Sequence, residues 1–446
     1  MTGAVVTGIG VVAPTGIGVD AHWRATLSGQ SGIGRITRFD ASGYPAQLAG
    51  EVRHFDAHTL LPSRILPQTD HVTRMALVAS DLALADASVD PAAWPDYDMG
   101  VMTASSAGGF EFGHRELQAL WSKGGQYVSA YQSFAWFYAV NTGQISIRHG
   151  MRGPGGVLVT EQAGGLDAIG QARRQIGRGV TLAVTGGVDS TLCPWGWVAQ
   201  LPSGRISEIG DPALAYLPFS ARASGHVPGE GGAILIMEPV EAAARREARQ
   251  VYGEIAGYAA TFDPRPGSGR GSNLATAIRL ALADAHITPG DVDVVFADAA
   301  AVPVLDEAEA AAITAVFGPQ GVPVTAPKTM TGRLYAGGSA LDAATALLAL
   351  RHRVIPPTVN VDGAVPGYQI DLVTSPREVP LRTSLVIARG HHGFNSALVL
   401  RRVDADGLVR SAAARGTRHA ANEFDLSGQE TREDPRGSAR KGTHHE

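Results

Sequence analysis

Short, almost wholly apolar runs recur along this chain, separated by stretches of helical period and by Gly- and Pro-rich turns. The first is "AVVTGIGVVAP" at 4–14, followed by "MGVMTA" at 99–104, "GVTLAVTGG" at 179–187 and "GGAILIME" at 231–238. A second series follows: "VDVVFADAA" at 292–300, "VPVTAPK" at 322–328, "TSLVIARG" at 383–390 and "SALVLRRV" at 396–403. Runs of this length, too uniformly apolar to alternate, read as strands buried on both faces, and strands that alternate with helices give an α/β fold. The order is one α/β unit followed by another. The join falls at 238–252, where "PVEAAARREARQ" reads as a charged helix. The expected organisation is a first half over 1–250, a second over 251–403, and a tail at 404–446. That tail is polar, rich in small residues and without period, and is expected to be disordered.

A chain of 446 residues with 44% apolar and 18% charged residues can bury a large core. A net charge near −5 lacks the basic balance of a nucleic-acid binder, so no nucleic-acid partner is expected. The single cysteine excludes an intrachain disulfide, and no basic start followed by an apolar run and cleavage site precedes the first strand. A cytoplasmic protein is expected. Every apolar run is broken by Gly, Pro or charge well short of the roughly 20 residues a membrane-spanning helix needs, so no membrane partner is expected either.

Three small motifs carry little chemistry. Gly8-x-Gly10-x-x-Ala13 matches a dinucleotide fingerprint, but Pro14, Gly16 and Gly18 delay the helix that a nucleotide site requires. Cys193 in "TLCPWGWV" stands among apolar residues with no neighbouring histidine, and reads as a small buried hydrophobe. His391-His392 and His444-His445 are adjacent pairs, whereas ligands on one helical face need a spacing of four. Neither a metal nor a cofactor is expected.

The stretch "VLVTEQAGGLDAIG" at 157–170 is more informative. A strand-like start, Val157 to Val159, leads through a polar turn into a helix opened by Ala163-Gly164-Gly165, with Leu166, Ile169 and Ile176 on one side. Gln162 therefore stands where a strand hands over to a helix N-terminus. Free N–H groups and the positive dipole end there would activate a thiol or hold an oxyanion. A glutamine amide cannot act as the nucleophile.

These segments resemble the thiolase-like condensing enzymes, and specifically the ketosynthase branch. "VVTGIGVVAPTG" at 5–16, "PFSARASGHVPGEGGAILIME" at 218–238 and "GGLDA" after the nucleophile position carry the superfamily likeness. "TEQAGGLDA" at 160–168 and "FAWFYAVNTGQISIRHGMRGP" at 134–154 resemble the chain length factors, or ketosynthase beta subunits, of type II aromatic polyketide synthases. The likeness runs from Val5 to about Arg402. It implies two duplicated α/β halves packed as a layered αβαβα sandwich.

Decarboxylative condensation in that family needs a thiolate for the growing acyl chain and two imidazoles for the thioester enolate. By resemblance, Gln162 takes the cysteine position. Asp298, in the segment resembling "HGTxTPxxD", takes that of the first histidine, and Arg333, in the segment resembling "KxxxGHxxGAAG", takes that of the second. Lys328 is kept. A carboxylate would repel the enolate, and a guanidinium cannot shuttle a proton near neutrality. The favoured reading is that Asp298 and Arg333 neutralise each other in a former active site. A glycine loop that reads "GFGG" in active relatives is Gly390-His391-His392-Gly393 here, so its phenylalanine is gone too.

The resemblance implies a non-catalytic subunit that pairs with a ketosynthase alpha subunit, receives an acyl carrier protein's growing polyketide, and sets the number of malonyl-derived extensions. The alternative is a decarboxylase of malonyl-acyl carrier protein that supplies the acetyl primer, with the Gln162 amide as oxyanion donor. Tyr127, Tyr131, Phe134, Trp136, Phe137 and Tyr138 form an aromatic cluster, which is either core or the subunit interface that the family places there. In "GGFEFGHRELQALW" at 108–121, Phe110, Gly113, Leu117 and Trp121 share a helical face. With Phe134, the first three are the expected tunnel lining. A helical glycine costs about 1 kcal/mol relative to alanine. Gly113 therefore reads either as room beside the growing chain or as close packing against a neighbour. The first of these predicts a long product, about ten or more acetate units by family expectation.

Overall fold

A computed structural model describes residues 3–265 and 267–403. The tail expected at 404–446, with His444-His445, lies outside the described residues. Residues up to Val403 form one compact unit.

In the first half, β1 (Ala4–Ala13), β2 (Met99–Ala104), β3 (Gly155–Leu158), β4 (Leu182–Asp189) and β5 (Gly231–Pro239) stand in the order β1-β5-β4-β2-β3. In the second, β6 (Gly253–Phe262), β7 (Val294–Phe296), β8 (Pro323–Thr325), β9 (Asp371–Leu372), β10 (Thr383–Arg389) and β11 (Phe394–Arg401) stand in the order β6-β11-β10-β7-β8-β9. In each half the first two pairings are antiparallel and those that follow are parallel. With β9 set aside, one strand permutation occurs twice. The halves meet where β1 pairs with β6, Val5 opposite Glu254 and Val6 opposite Gly253.

Seven helices frame the site: α1 (His71–Asp86), α2 (Phe110–Lys123), α3 (Gly164–Ile176), α4 (Pro194–Gln200), α5 (Leu274–Asp284), α6 (Pro303–Phe317) and α7 (Ala336–His352). α1 covers β1 and β5 on one outer face, and α5 covers β6 and β11 on the other. α3 and α7 lie against each other between the two half-sheets, each touching strands of both. The result is the five-layer αβαβα arrangement. Every residue from Ala336 to Leu350 is buried, as a helix apolar on all sides requires. Apolar clusters fill the space between the half-sheets and the space beneath each outer helix layer.

Glycines set the spacing of these layers. A Cβ at Gly8 would lie 2.2 Å from the Ala83 carbonyl oxygen, and one at Gly10 would lie 1.9 Å from that of Ala79. The two glycines thus let α1 lie directly on β1, and the strand runs unbroken through Ala13 where a nucleotide-binding turn would have to begin. Between the central helices, a Cβ at Gly165 would meet the Ala340 nitrogen at 2.5 Å.

The charged helix expected at the join is shorter than its pattern, with only Val240–Arg245 helical. Arg246 turns back to clasp the Glu238 carboxylate with two 2.7 Å hydrogen bonds, and Glu247 adopts a positive φ of 52°. The chain must reverse there because the Tyr252 N–H already bonds to the Val6 carbonyl beside β1. Among the described residues no helix is long and apolar enough to cross a membrane.

Candidate functional site

The segments singled out in the sequence converge at the C-terminal ends of β3, β7, β8 and β10. β3 ends at Leu158, a single turn of 3-10 helix spans Glu161–Ala163, and α3 begins at Gly164. The second half repeats the device: Arg333 precedes Tyr335, and α7 begins at Ala336. Glu161 and Tyr335, just ahead of the two helices, both take φ of 52°, a left-handed conformation uncommon for residues other than glycine. Asp298 follows β7, and Arg389 ends β10.

Asp298 and Arg333 are both buried, and the Arg333 Nη1 donates to Asp298 Oδ2 at 3.1 Å. Arg333 also reaches Glu161 through Nε at 3.4 Å and gives its Nη2 to the Arg389 carbonyl at 2.6 Å. Asp298 Oδ1 accepts the Arg389 N–H at 2.9 Å. Lys328 is buried beside them. Its ammonium donates to the carbonyls of Ala297 and Asp298 at 2.6 and 3.0 Å and pairs with Asp342 at 2.8 Å. The Glu309 carboxylate takes the N–H groups of Asp298 and Ala299 at 2.6 and 2.9 Å.

Burial alone would push the Asp298 carboxyl up, but Arg333 and Lys328 outweigh it and hold the pKa below the ordinary carboxylate value. Burial works against the charge on Arg333 as well, yet Asp298 and Glu161 hold its pKa above the ordinary value. Both groups are therefore ionised and paired. Nearby, His226 is pushed down to about 3 by burial and then by the Arg333 charge, so its imidazole is neutral. No thiol stands here. Cys193 is buried at the start of α4, where its Sγ accepts the Gly196 N–H at 3.3 Å and burial raises its pKa to about 11.

A cavity of about 740 Å³ opens over this network, lined among others by Phe110, Glu161, Asp298, Arg333, Arg389 and His391. Gln162 is not part of that lining. Its side chain is fully buried, neither amide atom has a hydrogen-bond partner among the described residues, and it packs where a Cβ on Gly338 would come 2.6 Å from its nitrogen. His391 and His392 stack edge-on at 4.0 Å, and among the described residues no cluster of His, Cys, Asp and Glu is arranged to hold a metal ion.

The face of α2 divides along its length. Phe110 lines the cavity and stacks on Trp195 of α4, ring centroids 4.9 Å apart. Gly113 is buried, and a Cβ there would lie 3.0 Å from the Trp195 ring and 3.5 Å from the Trp136 Cβ. Leu117 and Trp121 reach the surface, Trp121 at 83% exposure. In the aromatic cluster none of the six residues is core: Phe134 is half-buried and the other five are exposed, Tyr127 at 60%. The backbone ties these segments into one surface, since the Gly109 N–H bonds to the Trp136 carbonyl at 3.0 Å.

Glu161, Arg389 and Glu309 belong to the charged network without having been singled out in the sequence. Glu161 was within reach, as the charged neighbour of Gln162 in a turn otherwise built of small residues. Arg389 meets Asp298 through its own backbone N–H, and the Glu309 carboxylate meets the Asp298 backbone N–H, contacts that no residue pattern announces.

The family model for the beta-ketoacyl synthase N-terminal domain matches residues 2–243, and that for the C-terminal domain matches residues 252–362. The chain is 62% identical over 400 residues to a tetracenomycin polyketide synthase ketoacyl synthase beta subunit from Streptomyces glaucescens, a match covering 89% of this chain and 98% of that protein. Among solved structures it resembles the ishigamide ketosynthase/chain length factor, with a TM-score of 0.83, 26% identity, and coverage of 90% of this chain and 100% of that one. It also resembles a type II polyketide synthase acyl-carrier protein in complex with its ketosynthase bound to the hexaketide, with a TM-score of 0.80, 28% identity and the same coverage. The chain belongs to the beta-ketoacyl synthase family, among the ketosynthase beta subunits, or chain length factors, of type II polyketide synthases.

Proposed function

We propose that this chain works as the non-condensing partner of a catalytic ketosynthase and bounds the tunnel in which a polyketide, delivered by an acyl carrier protein, grows to its final length. One observation carries the reading: a wall of exposed aromatic and apolar side chains stands beside a cavity lined by the paired charges of Glu161, Asp298 and Arg333. Tyr131, Trp136, Phe137, Tyr138, Trp195 and Val198 are all exposed. An apolar face of that size on a large chain marks a protein partner surface. β3 ends the sheet with one edge unpaired among the described residues, and such an edge accepts a strand from a second subunit. Support for the partner's identity comes from the relatives, which are a ketosynthase beta subunit, a ketosynthase/chain length factor pair and a ketosynthase with its carrier protein.

Co-expression with a ketosynthase alpha subunit, followed by size exclusion and native mass spectrometry, tests the pairing. A one-to-one complex is expected, and a stable homodimer that ignores the alpha subunit would refute it. Gln162→Cys, assayed alone with malonyl-carrier-protein, is expected to give no elongation, because Asp298 and Arg333 still occupy the two imidazole positions.

A further inference from the structure

Three charged side chains of this network, Glu161, Asp298 and Arg333, reach the same short piece of backbone, Arg389 to His391. Asp298 Oδ1 accepts the Arg389 N–H at 2.9 Å, Arg333 Nη2 donates to the Arg389 carbonyl at 2.6 Å, and Glu161 Oε2 accepts the His391 N–H at 2.9 Å. The three side chains are joined to one another through the Arg333 guanidinium. They come from three separate places in the fold: the turn after β3, the loop after β7, and the turn before α7.

Elsewhere the segment is held by its own tight turn and by two neighbours: the Gly390 N–H bonds to the Phe394 carbonyl at 2.9 Å, the Gly393 carbonyl accepts the Asp263 N–H at 2.8 Å, and the Arg389 guanidinium donates to the Leu305 carbonyl at 2.8 Å. Gly390, His391, His392 and Gly393 connect β10 to β11, His392 and Gly393 take positive φ of 67° and 109°, and all four line the cavity mouth. Gly390 also lies so close to the turn after β3 that a Cβ would come 2.2 Å from the Thr160 carbonyl oxygen. Hydrogen bonds to ionised partners are stronger than neutral ones, and these are largely removed from water.

We propose that Glu161, Asp298 and Arg333 form a latch that fastens the Arg389–Gly393 loop and keeps the mouth of this chain's own cavity in one shape. In this assignment Glu161 is a positioning residue. It spans from the turn after β3 to the loop, and its carboxylate is what couples the Arg333 guanidinium to the His391 backbone. A simple neutral pair at Asp298 and Arg333 would need no Glu161 and no contact with the loop. The latch goes beyond the pairing proposed above and stands or falls apart from it.

The test is amide-resolved hydrogen exchange on the full chain in complex with its ketosynthase alpha subunit, with complex formation followed separately by native mass spectrometry. In the parent protein the Arg389 and His391 amides are expected to be protected comparably to the neighbouring amides of β11. In Glu161→Gln and in Asp298→Asn, exchange at Arg389–His391 is expected to rise by about tenfold or more while the β4 and β5 amides stay unchanged, since each variant weakens hydrogen bonds to a charged acceptor. Rapid exchange of these loop amides in the parent overturns the proposal with no variant needed. So does unchanged loop exchange in both variants when the complex is intact.

Discussion

Cutting Arg333 back to alanine would leave the Asp298 carboxylate buried without its guanidinium, and removing one member of a buried ion pair costs about 3 kcal/mol or more. Arg333→Ala is therefore expected to lower the thermal midpoint clearly, and Arg333→Ala with Asp298→Ala to lower it by less than the sum of the single changes. Strict additivity across the four proteins of the cycle would show that the two charges do not neutralise each other. A second residue carries a pH dependence. Asp306 accepts the Phe219 N–H at 2.7 Å, and burial, with the nearby Glu309, raises its carboxyl from 3.8 to about 8. A carboxyl with a higher pKa folded than unfolded binds more protons in the native state, so its contribution is full below about pH 4 and is lost as pH rises toward 8. Asp306→Asn keeps an acceptor for Phe219 and has no proton to lose. Its thermal midpoint is expected to gain on the parent's between pH 5 and pH 8, and a constant difference at the two pH values would contradict this. The Asp298 and Arg333 pairing was legible because each residue sits inside a segment that resembles a family motif and stands there in place of a histidine. Glu161 escaped because its partner Arg333 is 172 residues away, and nothing local to either one records the contact.

Gly10 shows the same limit one level up, because the composition of β1 was readable and the reason for its glycines was not. A nearly uniform apolar run marked a buried strand correctly, but only the packing reveals that α1 lies 1.9 Å from where a Gly10 side chain would begin. Gly10→Val is accordingly expected to push α1 off the sheet and destabilise the protein by about 3 kcal/mol, at the upper end of ordinary overpacking. A thermal midpoint within a degree or two of the parent's would mean that the helix gives way freely. The short helix at the join makes a related point. The pattern of 240–250 is helical in propensity throughout, yet the helix stops at Arg245 because β6 has to start beside β1, a tertiary demand that overrides local preference. Strand order was likewise hidden in the sequence. The two series of apolar runs suggested duplication, whereas the shared permutation of strands in the two halves appears only once their pairings are known.

At the scale of the whole molecule, the wall of exposed aromatics and the charged cavity are linked through one stack of rings, and that linkage bears on product length. Phe110 faces the cavity, Trp195 stacks on it, and a Cβ at Gly113 would press on the Trp195 ring at 3.0 Å, closer than an ordinary contact. The space beside Gly113 is thus occupied by an indole. A larger residue there acts on the cavity indirectly, by shifting Trp195 and with it the stacked Phe110 ring that lines the cavity. Leu117, one turn further along α2, is exposed on the surface proposed for the partner subunit, and phenylalanine at that position would project into whatever the two subunits enclose. Gly113→Thr with Leu117→Phe should therefore narrow the shared tunnel from both sides and shift the products of the reconstituted synthase to shorter chains than the parent's, for which about ten or more acetate units are expected by analogy with the family. The complex should survive, since Leu117 and Trp195 are both partly exposed and neither change opens the core. The measurement is the mass distribution of polyketides released by this chain with its alpha subunit and carrier protein. If the double variant assembles, stays active and releases chains of the parental length, then neither Gly113 nor Leu117 helps to set length, and the ruler must be sought elsewhere along the cavity wall.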